Sequence, residues 1–279
     1  MDAIKVQVIL FWAAVTVYVA ATCLNLIAII FRKPNLTNFS PCLAVIGFLP
    51  HTAGIILRWM QTGHFPYWGK YEVFNSYAWA FILLYLVLFL IKRELKVTGT
   101  VLFPVAFFMI GIALTGSKET TEIPSTFLTY WLGVHVAFAK LAYGSGLISA
   151  FFGGLYLWRA GKSNTDSGED VPGWVPSLDF CDFYTYRFAV FAFICMSIMI
   201  GAGAVWAYKA WGRYWGWDPV ETWSLVSWFV YGTLLHLRVT MGWRGKRGAW
   251  LSIIAVFIVL FSYFGMPLIY DTVHEHLEL

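Results

Sequence analysis

Eight long apolar stretches, roughly residues 6–31, 41–60, 75–91, 97–114, 130–157, 188–208, 222–239 and 249–269, constrain this chain more than any other feature. Most are close to the ~20 residues that a helix needs to cross ~30 Å of hydrocarbon. In that solvent each backbone N–H and C=O must find its partner inside the segment. The fold class is therefore all-α: a polytopic membrane protein of about eight transmembrane helices, expected to form a single integral membrane domain over residues 1–279. Composition agrees, because 59% of residues are hydrophobic and only 12% charged, against about a quarter charged in a soluble domain. Too few polar side chains exist to cover a water-facing surface, which excludes a soluble enzyme. The net charge of +4 is spread over many connections and makes no basic face for nucleic acid.

Basic residues set the expected orientation. Arg32 and Lys33 follow the first span, and Lys92, Arg93 and Lys96 the third. Arg159, Lys162 and Arg187 flank the polar stretch after the fifth, and Arg238, Arg244, Lys246 and Arg247 follow the seventh. They outnumber Lys5, Lys70, Lys118, Lys209 and Arg213 at the opposite ends, so the positive-inside rule puts them in the cytoplasm and both termini outside. Residues 158–187, rich in Gly, Ser, Asp and Pro near their centre, read as a cytoplasmic linker. The first span, with Asp2 and Lys5 before it and Arg32 and Lys33 after it, is not expected to be a signal peptide. Cys23, Cys42, Cys181 and Cys195 show no paired spacing and read as small apolar residues.

The densest chemistry lies at 209–223, on the expected outer side. There Trp211, Gly212, Tyr214, Trp215, Gly216, Trp217, Asp218 and Trp223 crowd together. Flat rings interleaved with glycine suit a platform for a large planar ligand. The competing reading is an interfacial aromatic belt, although a belt scatters its rings over several loops. Asp218, Pro219 and Glu221 are better explained as a helix start than as a catalytic carboxylate pair.

This segment resembles the tryptophan-rich WWD signature of the haem-handling cytochrome c assembly proteins, most closely the CcsA-type subunit of a cytochrome c synthase. Residues 178–187, 201–207, 51–64, 131–136 and 261–274 look like the same family's flanking patterns. Val220 departs from it, standing where a basic residue is common. The resemblance implies haem b as the bound cofactor or cargo, with the tryptophan-rich loop under the macrocycle. It also implies a CcsB- or ResB-like membrane partner, an apocytochrome c CxxCH segment as acceptor, and a place in a bacterial plasma or thylakoid membrane.

Neutral imidazole is a good axial ligand for haem iron. His135 and His274 both reach the side of the aromatic loop, with His276 a second choice in the tail. The resemblance gives His135 and His274 the external axial roles and makes His236 a transmembrane ligand whose mate comes from the partner. His51, in the second span, is a fourth candidate, because a histidine in hydrocarbon is costly. Arg58 or Lys140 could neutralise a propionate, although for Arg58 snorkelling to the outer headgroups is the better reading. The expected function is haem transport and presentation for covalent attachment to apocytochrome c, as a haem lyase subunit needing its partner, with no catalytic side chain of its own. A respiratory cytochrome b and a tetrapyrrole-synthesis regulator of the same fold are the alternatives.

Overall fold

The structure is a computed structural model and describes residues 3–120, 123–162, 172, 174–265 and 269. Among these residues it contains helices α1 (Ala3–Ile30), α2 (Ser40–Thr62), α3 (Gly69–Ile91), α4 (Gly99–Thr115), α5 (Tyr130–Lys162), α6 (Leu178–Trp211), α7 (Pro219–Thr240) and α8 (Lys246–Leu260). A π-helical turn, Phe261–Gly265, continues α8. Among the described residues seven segments are long and apolar enough to cross a membrane, and α7 is not among them. Its apolar run is diluted by Glu221, Ser224, Ser227, His236 and Arg238. Large apolar side chains point outward on most helices, among them Trp12, Leu49, Leu90, Phe108, Ile194 and Phe257. Such a surface is stable in lipid and not in water.

The helices extend past several of the apolar stretches. α5 runs to Lys162 and α6 starts at Leu178, so helix takes up both flanks of the linker expected over 158–187. α6 begins where the Ser177 hydroxyl accepts from the Phe180 N–H, and it carries Asp182 through its second turn. That carboxylate receives both guanidinium Nη atoms of Arg238 at 2.7 Å and the Gly245 N–H at 2.8 Å. A bidentate pair of this kind ties the start of α6 to the end of α7.

The chain divides into two compact units, with the boundary between Leu128 and Thr129. In the first, α1 packs on α2 and α4, and α3 packs on α4 and α2. Ala44, Gly47, His51, Gly54 and Arg58 share the buried face of α2. The two glycines let the helices approach: a Cβ on Gly47 would stand 2.5 Å from the Tyr18 ring, and one on Gly54 2.5 Å from the Phe11 ring. Without a hydrophobic force between helices in lipid, such small-residue contacts supply the packing. In the second unit, α5 and α6 make the most extensive pair, with α8 against α5 and α7 against α6 and α8.

Candidate functional site

Within the first unit the polar residues close on one another. His51 is fully buried, with Nε2 3.1 Å from the Asn75 carbonyl oxygen and Nδ1 3.3 Å from the Tyr18 hydroxyl. The carbonyl can only accept, so Nε2 carries the hydrogen and Nδ1 meets the hydroxyl. Arg58 is committed as well. Its Nε donates to Glu72 Oε1 at 2.8 Å, and its two Nη atoms donate to the carbonyls of Lys118 and Glu119 at 2.8 and 3.2 Å. Glu72 also accepts from the Trp68 N–H at 3.1 Å, and the His64 ring lies 3.7 Å from it. Gln7 bonds Gln61 and accepts from the Tyr71 hydroxyl. In the loop before α3, burial and then the Glu72 charge hold the Tyr67 phenol above its ordinary pKa. The geometry thus gives the two candidates His51 and Arg58 structural partners inside this unit. For Arg58 it is also a correction of snorkelling, since the side chain is buried.

Within the second unit the tryptophan-rich loop is built by its two ends. α6 stops at Gly212, whose φ of 74° lies in the left-handed region that glycine enters at no steric cost. Tyr214 folds back to stack on Tyr208 with ring centres 4.5 Å apart and planes 8° from parallel. At the other end Asp218 accepts from the Val220 N–H at 2.9 Å, while Glu221 reaches back to the N–H groups of Gly216 at 2.8 Å and Asp218 at 3.3 Å. This is the helix start that Asp218, Pro219 and Glu221 signal in the sequence. The Arg213 guanidinium lies over Gly216, where a Cβ would stand 2.7 Å from its carbon. Trp217 is held at φ 57°, unusual for a bulky residue, and is 71% exposed. Backbone held in that region stores strain of the kind that gathers at functional sites. Trp215 meets Trp217 edge to face at 5.9 Å.

His135, half-buried on α5, is joined to this loop through rings. Its Nδ1 lies 2.9 Å from the Met199 carbonyl oxygen of α6. Its ring lies 6.2 Å from that of Trp206, which meets Trp211 at 4.9 Å. Beyond the loop, Trp223 near the start of α7 meets Phe261 edge to face at 4.8 Å, and Tyr263 meets Tyr143 of α5 at 5.9 Å. The segment that leads toward His274 therefore starts beside α5 and α7. His274 and His276 themselves lie outside the described residues. His236 lies four residues before the end of α7 at Thr240, exposed, with the Thr240 hydroxyl on its carbonyl at 2.7 Å. Among the described residues no group of three or more His, Cys, Asp or Glu side chains is placed to hold a metal ion.

Gly203 and Trp206 fall inside the flanking pattern 201–207 but carry no individual role in the sequence, whereas Met199 and Glu72 leave no signal there at all.

Fold and site together define an integral, multi-pass helical membrane protein with a half-buried histidine coupled to a strained, tryptophan-rich loop. Residues 67–274 match the family described as cytochrome C assembly protein. The cytochrome c biogenesis protein CcsA of Trieres chinensis is 30% identical over 250 residues, covering 78% of this chain and 80% of that protein. The CcsA of Gloeobacter violaceus is 27% identical across 98% of this chain and 96% of its own. The solved cytochrome c haem lyase CcmF superposes with a TM-score of 0.66 at 17% identity, over 94% of this chain. This chain spans about half (47%) of that protein's length, and the likeness shows a shared fold. The chain belongs to the cytochrome c assembly protein family, and cytochrome c biogenesis is the process it serves.

Proposed function

We propose that this chain carries haem b to the outer boundary of a bacterial plasma or thylakoid membrane and holds it there for covalent attachment to apocytochrome c. His135 and His274, or His276 in place of the latter, are the axial ligands of the outer site, and the loop of Trp211, Gly212, Tyr214, Trp215, Trp217, Asp218 and Trp223 forms its floor. The observation that carries this reading is the ring path from His135 through Trp206 to Trp211, which ties an imidazole to the aromatic loop. Two imidazoles keep the iron six-coordinate and limit its oxygen chemistry.

In this reading both termini and the loop are outside, and the linker is cytoplasmic. His236, exposed near the cytoplasmic end of α7, receives haem on entry, and its mate comes from a CcsB- or ResB-like partner. His51 and Arg58 hold helices together. The partner also supplies the grip on the apocytochrome. Each cysteine thiol of the CxxCH segment adds across a vinyl group: sulfur bonds the carbon next to the ring, and the thiol proton goes to the terminal carbon. No electrons leave or enter. This chain contributes orientation and supplies no covalent catalysis of its own.

The test is a host lacking its own cytochrome c synthase, supplied with this chain, the partner subunit and a reporter apocytochrome. Covalently attached haem in the reporter is expected with the wild type, lost with His135→Ala and partly recovered with added imidazole. An unchanged yield from His135→Ala would remove the proposed site.

A further inference from the structure

The ring of His135 rests on a stretch of α6 that lacks a side chain. Four residues after Met199, whose carbonyl faces Nδ1 at 2.9 Å, comes Gly203. A Cβ built on Gly203 would stand 2.6 Å from His135 Nδ1 and 3.0 Å from Cε1. Those atoms belong to a rigid ring, so the ring itself would have to move. In a helix the carbonyl of one residue points at the N–H four residues on. The Met199 oxygen is therefore directed at Gly203, and the missing Cβ leaves its second lone pair open to an imidazole. A carbonyl only accepts, so Nδ1 bears the hydrogen, and in the neutral ring the lone pair belongs to Nε2. Trp206, tilted 31° to the imidazole, borders it further along the same helix.

We propose that Gly203 and the Met199 carbonyl form a socket on α6 that fixes the tautomer and ring plane of His135, making Nε2 the nitrogen that meets iron. The inference rests on His135 being a haem ligand, and it names Gly203 as a positioning residue. Ligating histidines commonly gain their orientation from a partner on the other ring nitrogen. The socket also accounts for a glycine in the middle of a long helix, where glycine is a poor helix former. Gly201 provides the contrast. It lies two residues earlier in α6, and a Cβ there would meet nothing within 4 Å.

The experiment compares Gly203→Ala with Gly201→Ala in the full chain purified with its haem, each also made in a His135→Ala background. Absorption and electron paramagnetic resonance spectra are recorded for all of them. Gly203→Ala is expected to lose most of the low-spin signal that depends on His135, while Gly201→Ala keeps the wild-type spectrum. With the ring gone, Gly203→Ala should change nothing further, and the double variant should accumulate as well as Gly201→Ala. Nitrogen-15 NMR of histidine-labelled, haem-free protein should show the Nδ1–H tautomer at His135 and its loss in Gly203→Ala. A wild-type spectrum from Gly203→Ala, equal damage from Gly201→Ala, or a double variant that fails to accumulate would each overturn the socket. If His135→Ala changes the spectrum and Gly203→Ala does not, the socket fails and the ligand stands. If His135→Ala changes nothing, both fail.

Discussion

The two units treat a costly polar side chain in opposite ways. In the first, His51 has both ring nitrogens bonded inside the bundle, and Arg58 spends its guanidinium on Glu72 and two backbone carbonyls. In the second, His135 is half-buried, with Nδ1 set by one carbonyl, and it sits beside rings that lead to an exposed loop. Desolvation explains the first arrangement, because a buried charge or donor is tolerable only when paired. The second arrangement is the one on which the proposed haem site is built: a half-buried imidazole oriented by α6 and bordered by the rings that lead to the loop.

Substitutions can break or sharpen this contrast. Arg58→Ala leaves Glu72 buried without its cation, and the first unit should lose about 3–5 kcal/mol. Thermal unfolding in detergent would measure it, and the haem spectrum of the folded fraction should stay as in the wild type. His51→Ala orphans the Tyr18 hydroxyl and empties the second lone pair of the Asn75 carbonyl, with an expected cost of about 1–3 kcal/mol and no change in the haem spectrum. A spectral change there would erase the distinction between the units. Asp218→Ala removes the cap of α7 at a cost of about 1 kcal/mol. Because Glu221 still holds Gly216, a weakened loop rather than a lost one is expected, read as increased protease cleavage within 212–218. His135→Ala should cost the fold least, roughly one hydrogen bond at about 1 kcal/mol, and should alter the haem spectrum most.

Much of the fold is legible in the sequence because lipid imposes a simple rule on backbone and side chain alike. The apolar stretches locate α1 to α8, and Asp218, Pro219 and Glu221 mark the start of α7 as the structure has it. Hydropathy fails where a helix carries charge that is paired elsewhere. α6 begins ten residues before its expected start because Asp182 is paired with Arg238, a long-range contact that no local window contains. α3 likewise begins at Gly69, ahead of its apolar run, because Glu72 is paired with Arg58. The same blindness affects the site. The aromatic loop announces itself by composition, but whether His51 and Arg58 are free for a ligand depends on residues far away in sequence. For His236 the expected end of its apolar stretch at residue 239 and the observed end of α7 at Thr240 agree within a residue, but which side of the helix it occupies is set by packing that the stretch does not reveal.

The central claim is that His135 supplies an imidazole to haem iron beside the tryptophan-rich loop. The most direct measurement is the optical and electron paramagnetic resonance spectrum of the purified chain with its haem, wild type against His135→Ala. The account expects a six-coordinate low-spin signal in the wild type, its conversion toward high spin in the variant, and its return on adding imidazole. A low-spin signal that survives His135→Ala undiminished would contradict it.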